Sequence, residues 1–221
     1  MNKITAWSYS RWNEYENCPR KSRYKVIDKL KEPGSPAMDR GGEIHSKIEH
    51  YLQHGGKLPV EVHKDLKPYY TALRKAKPKV ELEICFDNKW QMTDWFGMAA
   101  WCRVKIDALI VPSTTGVVRV VDHKTGKLRD YAEYENQLEL YALAGLLTVP
   151  VAKEVIAELA FTDQGVTVEA KKAVPMADLP KLKKKWELKV KPMLNDTIFA
   201  PRPGNACRWC HFKKSNGGPC E

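Results

Sequence analysis

Hydrophobic positions recur along the chain with two periods, one typical of helices and one typical of strands. Helical spacing predicts helices at about 7–30, 40–54, 61–76, 131–147 and within 171–191. Short apolar runs between them predict strands at about 79–87, 100–111, 117–124, 154–163 and 165–171. We therefore predict an α/β fold with a mixed central sheet flanked by helices. An antiparallel hairpin, a crossover helix and a parallel strand build that sheet.

Two of these strands carry acidic residues. Asp107 lies in VKIDALIV, and Asp122 and Lys124 lie in VVRVVDHKTGK after the turn-like PSTTG. Alternation puts Asp122 and Lys124 on one face of the strand and His123 on the other. If the strands pair with Asp107 opposite Asp122, the polar groups converge, whereas a shift of one residue separates them. Two carboxylates can hold a divalent metal against a phosphate oxygen while a lysine orients water, which predicts phosphodiester hydrolysis.

Two predicted helices carry further polar side chains that lie one turn apart. His45 and Glu49 share a flank of the helix that begins near Gly41, so Glu49 could orient the imidazole or approach a metal ion. Gln137 and Tyr141 have the same spacing in YENQLELYALAGLL. Each residue alone also fits an ordinary surface or core position. Their combination with the strand acids is what indicates a site.

The motifs, taken in order, resemble the RecB-like branch of the PD-(D/E)XK nuclease superfamily. The matching elements are Gly41-x-x-x-His45, an acid in VELE, Asp107 in VKID, Asp122-x-Lys124 and Gln137-x-x-x-Tyr141. The opening SYSRWNEYENCPRKSRY also resembles that family's N-terminus, so the resemblance runs from about residue 7 to the C-terminus. It implies one nuclease domain over 1–221 with a restriction-endonuclease-like core. It also implies a DNA exonuclease that processes ends in recombination, repair or replication. The compact stand-alone form suggests a phage or mobile-element origin.

The resemblance gives roles to the strand motifs. It implies a Mg²⁺ or Mn²⁺ ion whose ligands are His45, Asp107, Asp122 and the main-chain carbonyl of His123. Lys124 would be the catalytic lysine, which positions or deprotonates the attacking water. An oxygen-rich ligand set of this kind suits both ions.

Other matched positions surround this set. Glu81 and Glu83 share one face of the predicted strand VELEI. The segment MTDWFGMAAWCRVKID resembles phage-encoded members whose acid falls at Glu81, so we predict Glu81 as the catalytic acid. The resemblance implies that Gln137 and Tyr141 contact nucleic acid or support the site. Lys105 stands where many relatives have glycine, and it could add a phosphate contact or be a tolerated strand residue.

Six cysteines form a second signal. Cys85 and Cys102 fall in strand-like runs and are predicted to be small core residues. A C-x-x-C motif and a third cysteine follow in the tail CRWCHFKKSNGGPC, where two thiolates of one tight turn can reach one metal centre. A fourth cysteine lies near the N-terminus in ENCPRK. The candidate ligands are therefore Cys18, Cys207, Cys210 and Cys220.

CPRK-x-x-Y together with this C-terminal triplet resembles the iron–sulfur nucleases of the same superfamily, the AddB-type and CRISPR-adaptation enzymes. By that resemblance the four cysteines ligate a [4Fe–4S] cluster that joins residues 1–30 to 200–221 in a cap. Zinc is the alternative, because four thiolates also suit tetrahedral zinc and His211 could replace one cysteine. The third possibility is that these cysteines are free thiols that bind no metal.

Composition limits the partners. The chain of 221 residues has 37 Lys and Arg against 27 Asp and Glu, a net charge of +10 that favours a polyanion such as DNA. The lysine-rich segment 171–191 carries an apolar stripe at Leu179, Leu182, Trp186 and Val190, so its other face is a lysine surface that is either solvated or tracks phosphates.

The composition of individual segments argues against a membrane span and against secretion. The longest apolar stretch is too short and too interrupted by proline for a membrane span, so we predict no membrane. The first twenty residues lack a secretory core, which predicts a reducing, cytoplasmic setting. The sequence contains no G-x-x-x-x-G-K-[ST], so unwinding would need a partner helicase or recombination protein. The competing functions are an inactive or zinc-stabilised DNA-binding module.

Overall fold

The computed structural model describes residues 3–112 and 114–220, and it confirms the predicted order of helices and strands. The helices are α1 Tyr9–Asn17, α2 Pro19–Val26, α3 Pro36–His54, α4 Lys67–Lys75, α5 Ala132–Thr148 and α6 Leu179–Asn195. The strands are β1 Lys79–Phe86, β2 Cys102–Ile110, β3 Val117–Lys124, β4 Glu154–Phe161, β5 Val166–Glu169 and β6 Val174–Pro175.

The helix predicted over 7–30 is two helices. The aromatic spacing continues through the segment, but α1 ends before Cys18 and α2 begins at Pro19. Cys18 has an extended backbone, because proline disfavours helical geometry in the residue before it. Pro19 then occupies the first turn of α2, where its missing N–H costs no helical hydrogen bond.

The central sheet is mixed, as predicted. Its strands lie in the order β1-β2-β3-β4-β5, and the short β6 also pairs with β4. β1, β2 and β3 are antiparallel neighbours, whereas β3 and β4 are parallel and are connected through α5. In the β2–β3 hairpin, Ala108 pairs with Val121 and Ile110 pairs with Arg119.

Helices cover both faces of the sheet. On one face, Leu138 and Leu143 of α5 and Val190 of α6 belong to the larger hydrophobic core, together with Val120 of β3. On the other face, α3 and α4 pack in a smaller core that includes Val121, the neighbour of Val120. Among the described residues, no helix is long and apolar enough to cross a bilayer.

A tryptophan cluster joins distant parts of the chain in the larger core. Trp7 stacks on Trp186 of α6 with ring centroids 5.4 Å apart, and Trp12 meets Trp186 edge-on at 5.2 Å. Trp7 also contacts Trp90 and Trp101, which lie in the connection between β1 and β2. The N-terminal segment, this connection and α6 are therefore held by one set of rings.

The lysine-rich helix α6 buries much of its predicted stripe. Leu182, Trp186 and Val190 are buried, and Leu179 is half-buried. Lys189 lies over the rings of Trp12 and Trp186, 5.1 and 5.5 Å from their centroids. Part of the lysine face of α6 therefore makes contacts within the protein.

The C-terminal tail contacts the N-terminal helices. Tyr24 donates its hydroxyl to the Pro219 carbonyl at 3.1 Å, and Arg20 Nε donates to the Phe199 carbonyl at 2.8 Å. Cys85 and Cys102 are buried, as predicted for small core residues. The two chain ends thus meet through hydrogen bonds at the edge of the larger core.

Gly145 marks the closest approach of α5 to the sheet. A Cβ atom there would lie 3.0 Å from Val155 and 3.1 Å from Val120. We expect Gly145→Leu to lower the free energy of unfolding in urea by about 1–3 kcal/mol, because the added atoms force α5 off the strands.

Gly42→Ala is the matched control. Gly42 is also helical, but a Cβ atom there meets nothing within 4 Å. Its alanine variant should be as stable as the wild type or more stable by up to about 1 kcal/mol. Equal stability of Gly145→Leu and the wild type would contradict the close packing of α5.

Candidate active site

Three carboxylates lie side by side across the first three strands. The β1–β2 register, which pairs Val80 with Ala108, places Glu81 opposite Asp107. The β2–β3 register, continued by one residue beyond Ala108, places Asp107 opposite Asp122. The recorded pairs of Ala108, Leu109 and Ile110 have the hairpin register predicted from the sequence. Neighbouring strands are about 4.8 Å apart, so this row concentrates negative charge.

The backbone is distorted at the same row. In a regular strand, residues two apart point to the same face of the sheet. In β2, however, Ile106 packs in the larger core and Ala108 packs in the smaller core on the opposite face. On β1, Leu82 and Val80 divide in the same way. Glu81, between them, has a φ of +51°, a left-handed value that costs a non-glycine residue about 1–3 kcal/mol. Both strands therefore exchange their buried faces at the acids.

His45 on α3 faces this row. Its Nδ1 lies 3.4 Å from Asp107 Oδ2. One ligand atom from each of His45, Glu81 and Asp107 can be chosen so that all three lie within 4.8 Å of one another. Glu49, a candidate to orient the imidazole, instead accepts a hydrogen bond from Gln53 at 3.1 Å.

The His45–Asp107 contact sets the charges of both groups. Burial alone would raise the pKa of Asp107, but the hydrogen bond with His45 and the nearby histidine rings lower it. Burial alone would lower the pKa of His45, but the hydrogen bond and charge of Asp107 raise it. Asp107 is therefore held ionised, as a metal ligand must be.

Asp122 has different partners. Tyr141 on α5 donates its hydroxyl to Asp122 Oδ1 at 2.5 Å, and Gln137 Nε2 donates to the Tyr141 hydroxyl at 2.8 Å. Lys124 Nζ lies 2.5 Å from Asp122 Oδ2. Burial raises the pKa of Asp122, the charge of Asp107 adds to the effect, and Lys124 opposes it. One oxygen of this carboxylate is thus held by Tyr141, which Gln137 supports, and the other is held by Lys124.

His123 faces away from the row, as strand alternation predicts. Its ring nitrogen Nδ1 lies 3.0 Å from the Tyr70 hydroxyl on α4, and burial lowers its pKa to about 4. Its backbone N–H donates to Asp107 Oδ2 at 2.7 Å, which brings the peptide beside the carboxylates. Lys105 Nζ lies 2.5 Å from Glu81 Oε2 at the other end of the row.

The loop after Lys124 is tied to the helix of His45. Asp163 accepts a hydrogen bond from the Gly126 N–H at 2.8 Å and binds Arg40 of α3 through both carboxylate oxygens. In the sequence, Asp163 belongs to a turn motif and Arg40 to a helix start. Nothing in their spacing connects them, so sequence reasoning missed this support.

Three cavities meet around the carboxylate row. A cavity of about 770 Å³ is lined by His45, Glu81 and Lys105. A cavity of about 460 Å³ shares Lys105 with it and continues to Gln137 and Tyr141. A third, of about 960 Å³, is lined by Lys124 and Gln137 and extends to the C-terminal tail. His45, Glu81 and Lys124 are therefore open to a ligand, whereas Asp107 and Asp122 are buried behind them.

One family model and one solved structure are similar to this chain. A family model described as the PD-(D/E)XK nuclease superfamily matches residues 6–101 and 102–215. The chain belongs to this superfamily. A solved structure titled "Crystal structure of SSO0001" is similar with a TM-score of 0.49 and 17% identity, over 96% of this chain and 86% of that chain. Comparison with curated protein sequences gives no significant match.

Membership in the PD-(D/E)XK nuclease superfamily implies a metal-dependent nuclease with a DNA substrate. The residues present fit a divalent metal. His45, Glu81 and Asp107 offer one imidazole and two carboxylates at mutually close positions, a donor set that suits Mn²⁺ and Mg²⁺. Asp122 lies outside this group because its oxygens are turned toward Tyr141 and Lys124.

The four predicted cluster cysteines line the largest of the three cavities. The described residues 3–112 and 114–220 contain one group with mutually close metal-ligand atoms, and it is the group around His45, without a cysteine. No such group contains a cysteine, so the structure does not show the predicted [4Fe–4S] or zinc centre. Cys207 lies in an exposed short turn of the tail, whereas Cys18 lies between α1 and α2. The cavity residues are Cys18, Cys207, Cys210 and Cys220.

Metal binding can be measured without catalysis. We expect Mn²⁺ to raise the melting temperature above its value in EDTA, because an ion that binds only the folded state stabilises it by about 2.7 kcal/mol at a hundredfold excess over Kd. Asp107→Asn should lose most of this increase, measured as the difference between Mn²⁺ and EDTA within each variant.

Glu43→Gln serves as the control. Glu43 lies on α3 with His45, but its side chain is 65% exposed and pairs with Lys47. This variant should keep the wild-type increase. An increase in Asp107→Asn equal to that of the wild type would contradict a metal site at the carboxylate row.

Proposed function

We propose that the protein is a divalent-metal-dependent DNA exonuclease of the RecB-like branch of its superfamily. The observation that carries the proposal is the row of Glu81, Asp107 and Asp122, with His45 at one face and Lys124 on Asp122. A row of carboxylates beside a lysine matches the needs of phosphodiester hydrolysis, in which negative charge develops on the phosphate.

Each residue has a distinct task in this proposal. His45, Glu81 and Asp107 hold the cation, and Asp122 and the main-chain carbonyl of His123 are its further predicted ligands. Bound Mg²⁺ or Mn²⁺ supplies positive charge to a phosphate oxygen.

The side chains around Asp122 act on its position and on water. Tyr141 fixes the Asp122 carboxylate through its hydroxyl, and Gln137 fixes Tyr141. Lys124 orients the attacking water and offsets charge on the phosphate. Because Tyr141 and Gln137 are buried, we propose that they support the site more than they contact DNA.

The choice of exonuclease rests on the motif resemblance, and so do a role in DNA end processing and a phage or mobile-element origin. The net charge of +10 supports a polyanionic substrate. The sequence contains no nucleotide-binding P-loop motif, so we propose that a helicase or recombination protein in the cytoplasm delivers the ends.

We also propose that the cysteine cavity takes up a metal centre, [4Fe–4S] or, as the alternative, Zn²⁺. The support is that all four cysteines line one cavity. Burial raises the pKa of the Cys220 thiol, and the neighbouring thiols of Cys18, Cys210 and Cys207 raise it further. Metal binding and tail folding would then be coupled, since thiolate ligands converge when the ion is bound.

The nuclease proposal is tested with end-labelled linear DNA and closed circular DNA, single- and double-stranded, in Mn²⁺ and in EDTA. We expect metal-dependent loss of linear DNA only. Lys124→Ala should reduce the rate by about 100-fold or more, because a group that stabilises the transition state is lost.

Lys127→Ala is the matched control, since Lys127 lies three residues further on and is exposed. It should keep the wild-type rate. Cutting of circles would contradict the exonuclease assignment and retain the site. No cutting by folded, metal-loaded wild type would contradict the enzyme and favour an inactive or zinc-stabilised DNA-binding module.

Elemental analysis of anaerobically purified protein tests the cysteine centre. We expect about four iron atoms per chain with broad visible absorbance, and loss of both in Cys210→Ser. Cys85→Ala, at a buried core cysteine, should keep the iron. One zinc per chain and colourless protein would support the alternative, and neither metal would contradict both.

A further inference from the structure

The cavity of about 460 Å³ beside Lys105 has an unbalanced charge. The described residues that line it include three cationic side chains, Arg11, Arg103 and Lys105, and no carboxylate. Lys105 is paired with Glu81 in the neighbouring cavity. The excess positive charge therefore comes from the two arginines.

Neither guanidinium has a carboxylate within 4.0 Å in the part of the chain that the structure describes. Each is held in place by a backbone carbonyl instead: Arg11 donates to Ala6 at 2.9 Å and Arg103 Nε donates to Trp95 at 2.8 Å. Burial lowers the pKa of Arg11, and the charge of Arg103 lowers it further. Two like charges fixed close together without an acid are arranged to bind an anion.

An exposed aromatic ring stands at the mouth of this cavity. The connection between β1 and β2 makes a tight turn in which Gly97 N–H donates to the Asp94 carbonyl at 3.0 Å. Phe96 lies in this turn, lines the cavity and is 89% exposed. Its neighbour Trp95 is anchored by Arg103, whose guanidinium lies 5.7 Å from the ring centroid. The fold itself gains little from Phe96, so the ring is available to a ligand.

The cavity adjoins the candidate active site. Lys105, two residues before Asp107 on β2, lines both this cavity and the one that contains His45 and Glu81. Tyr141, which holds Asp122, lines it as well. The two cavities therefore share a wall at Lys105, next to the carboxylates.

We propose that this cavity binds an unpaired nucleotide of the substrate strand, with Arg11 and Arg103 on its phosphate and Phe96 stacked on its base. Anion recognition beside an exposed ring fits a nucleotide, which offers a phosphate and a flat base together. The inference deepens the proposed nuclease function and rests on it. A base inside a duplex has both faces covered, so stacking on Phe96 selects single-stranded DNA or a frayed end.

Binding is measured by fluorescence anisotropy in the full chain carrying Lys124→Ala, with a labelled single-stranded oligonucleotide and the same sequence in a blunt duplex. Adding Phe96→Ala should weaken single-strand binding about tenfold, the typical loss for one stacked base, and duplex binding less than about twofold. Phe96→Trp should restore single-strand binding. Met98→Ala is the matched control, because Met98 lies in the same connection and is fully exposed but does not line the cavity.

The phosphate contact has its own readout. Arg11→Gln should weaken single-strand binding and reduce the slope of log affinity against log salt by about 0.7, the value for one phosphate contact. A slope equal to that of the wild type would overturn the phosphate contact even if affinity fell.

Three outcomes separate this inference from the nuclease proposal. Equal binding by the Phe96→Ala and Met98→Ala proteins, or equal losses on both DNA forms, would overturn the base-stacking role while wild-type cleavage still supported the nuclease. Protein that neither binds nor cuts DNA would overturn both. Selective loss in Phe96→Ala with wild-type cleavage intact would support both.

Discussion

The repulsion between neighbouring carboxylates on adjacent strands constrains the whole structure. Two unit charges roughly 5 Å apart repel by about 3 kcal/mol at an effective dielectric constant of about 20. The row of acids therefore needs compensation, and each compensating group comes from a different element. His45 comes from α3, Lys105 and Lys124 come from the strands, and Tyr141 comes from α5. The helices on both faces must sit correctly for the row to be held.

The packing of α5 shows how the core and the site depend on one another. Gly145 allows the helix to approach Val120 and Val155 closely, and Tyr141 lies one turn earlier on the same helix. The distance between α5 and the sheet thus determines whether the Tyr141 hydroxyl reaches Asp122. On the other face, the pairing of Arg40 with Asp163 ties the helix of His45 to the loop after Lys124. Apolar contact fixes the site from one side and an ion pair fixes it from the other.

Much of this arrangement is predictable from the sequence, because its signals are local. Strand alternation and hairpin pairing predict that Asp107 and Asp122 meet, and helical spacing predicts the Gln137–Tyr141 contact. Pairs from distant segments, such as Arg11 with Arg103, have no local signal. The left-handed backbone of Glu81 is equally invisible, because the surrounding pairs impose it on an ordinary strand residue. The helix break at Pro19 was hidden by aromatic spacing that continues through both helices.

The tryptophan cluster has a consequence for the order in which the molecule is completed. The acids at 81, 107 and 122 lie on three strands that are consecutive in the sequence. The wall beside Arg11 and Trp95 depends on Trp7 stacking against Trp186, a contact between the two ends of the fold. Contacts of such long sequence separation form late, since their loop-closure entropy is large. The cavity beside the carboxylate row is therefore complete only when Trp7 and Trp186 have met.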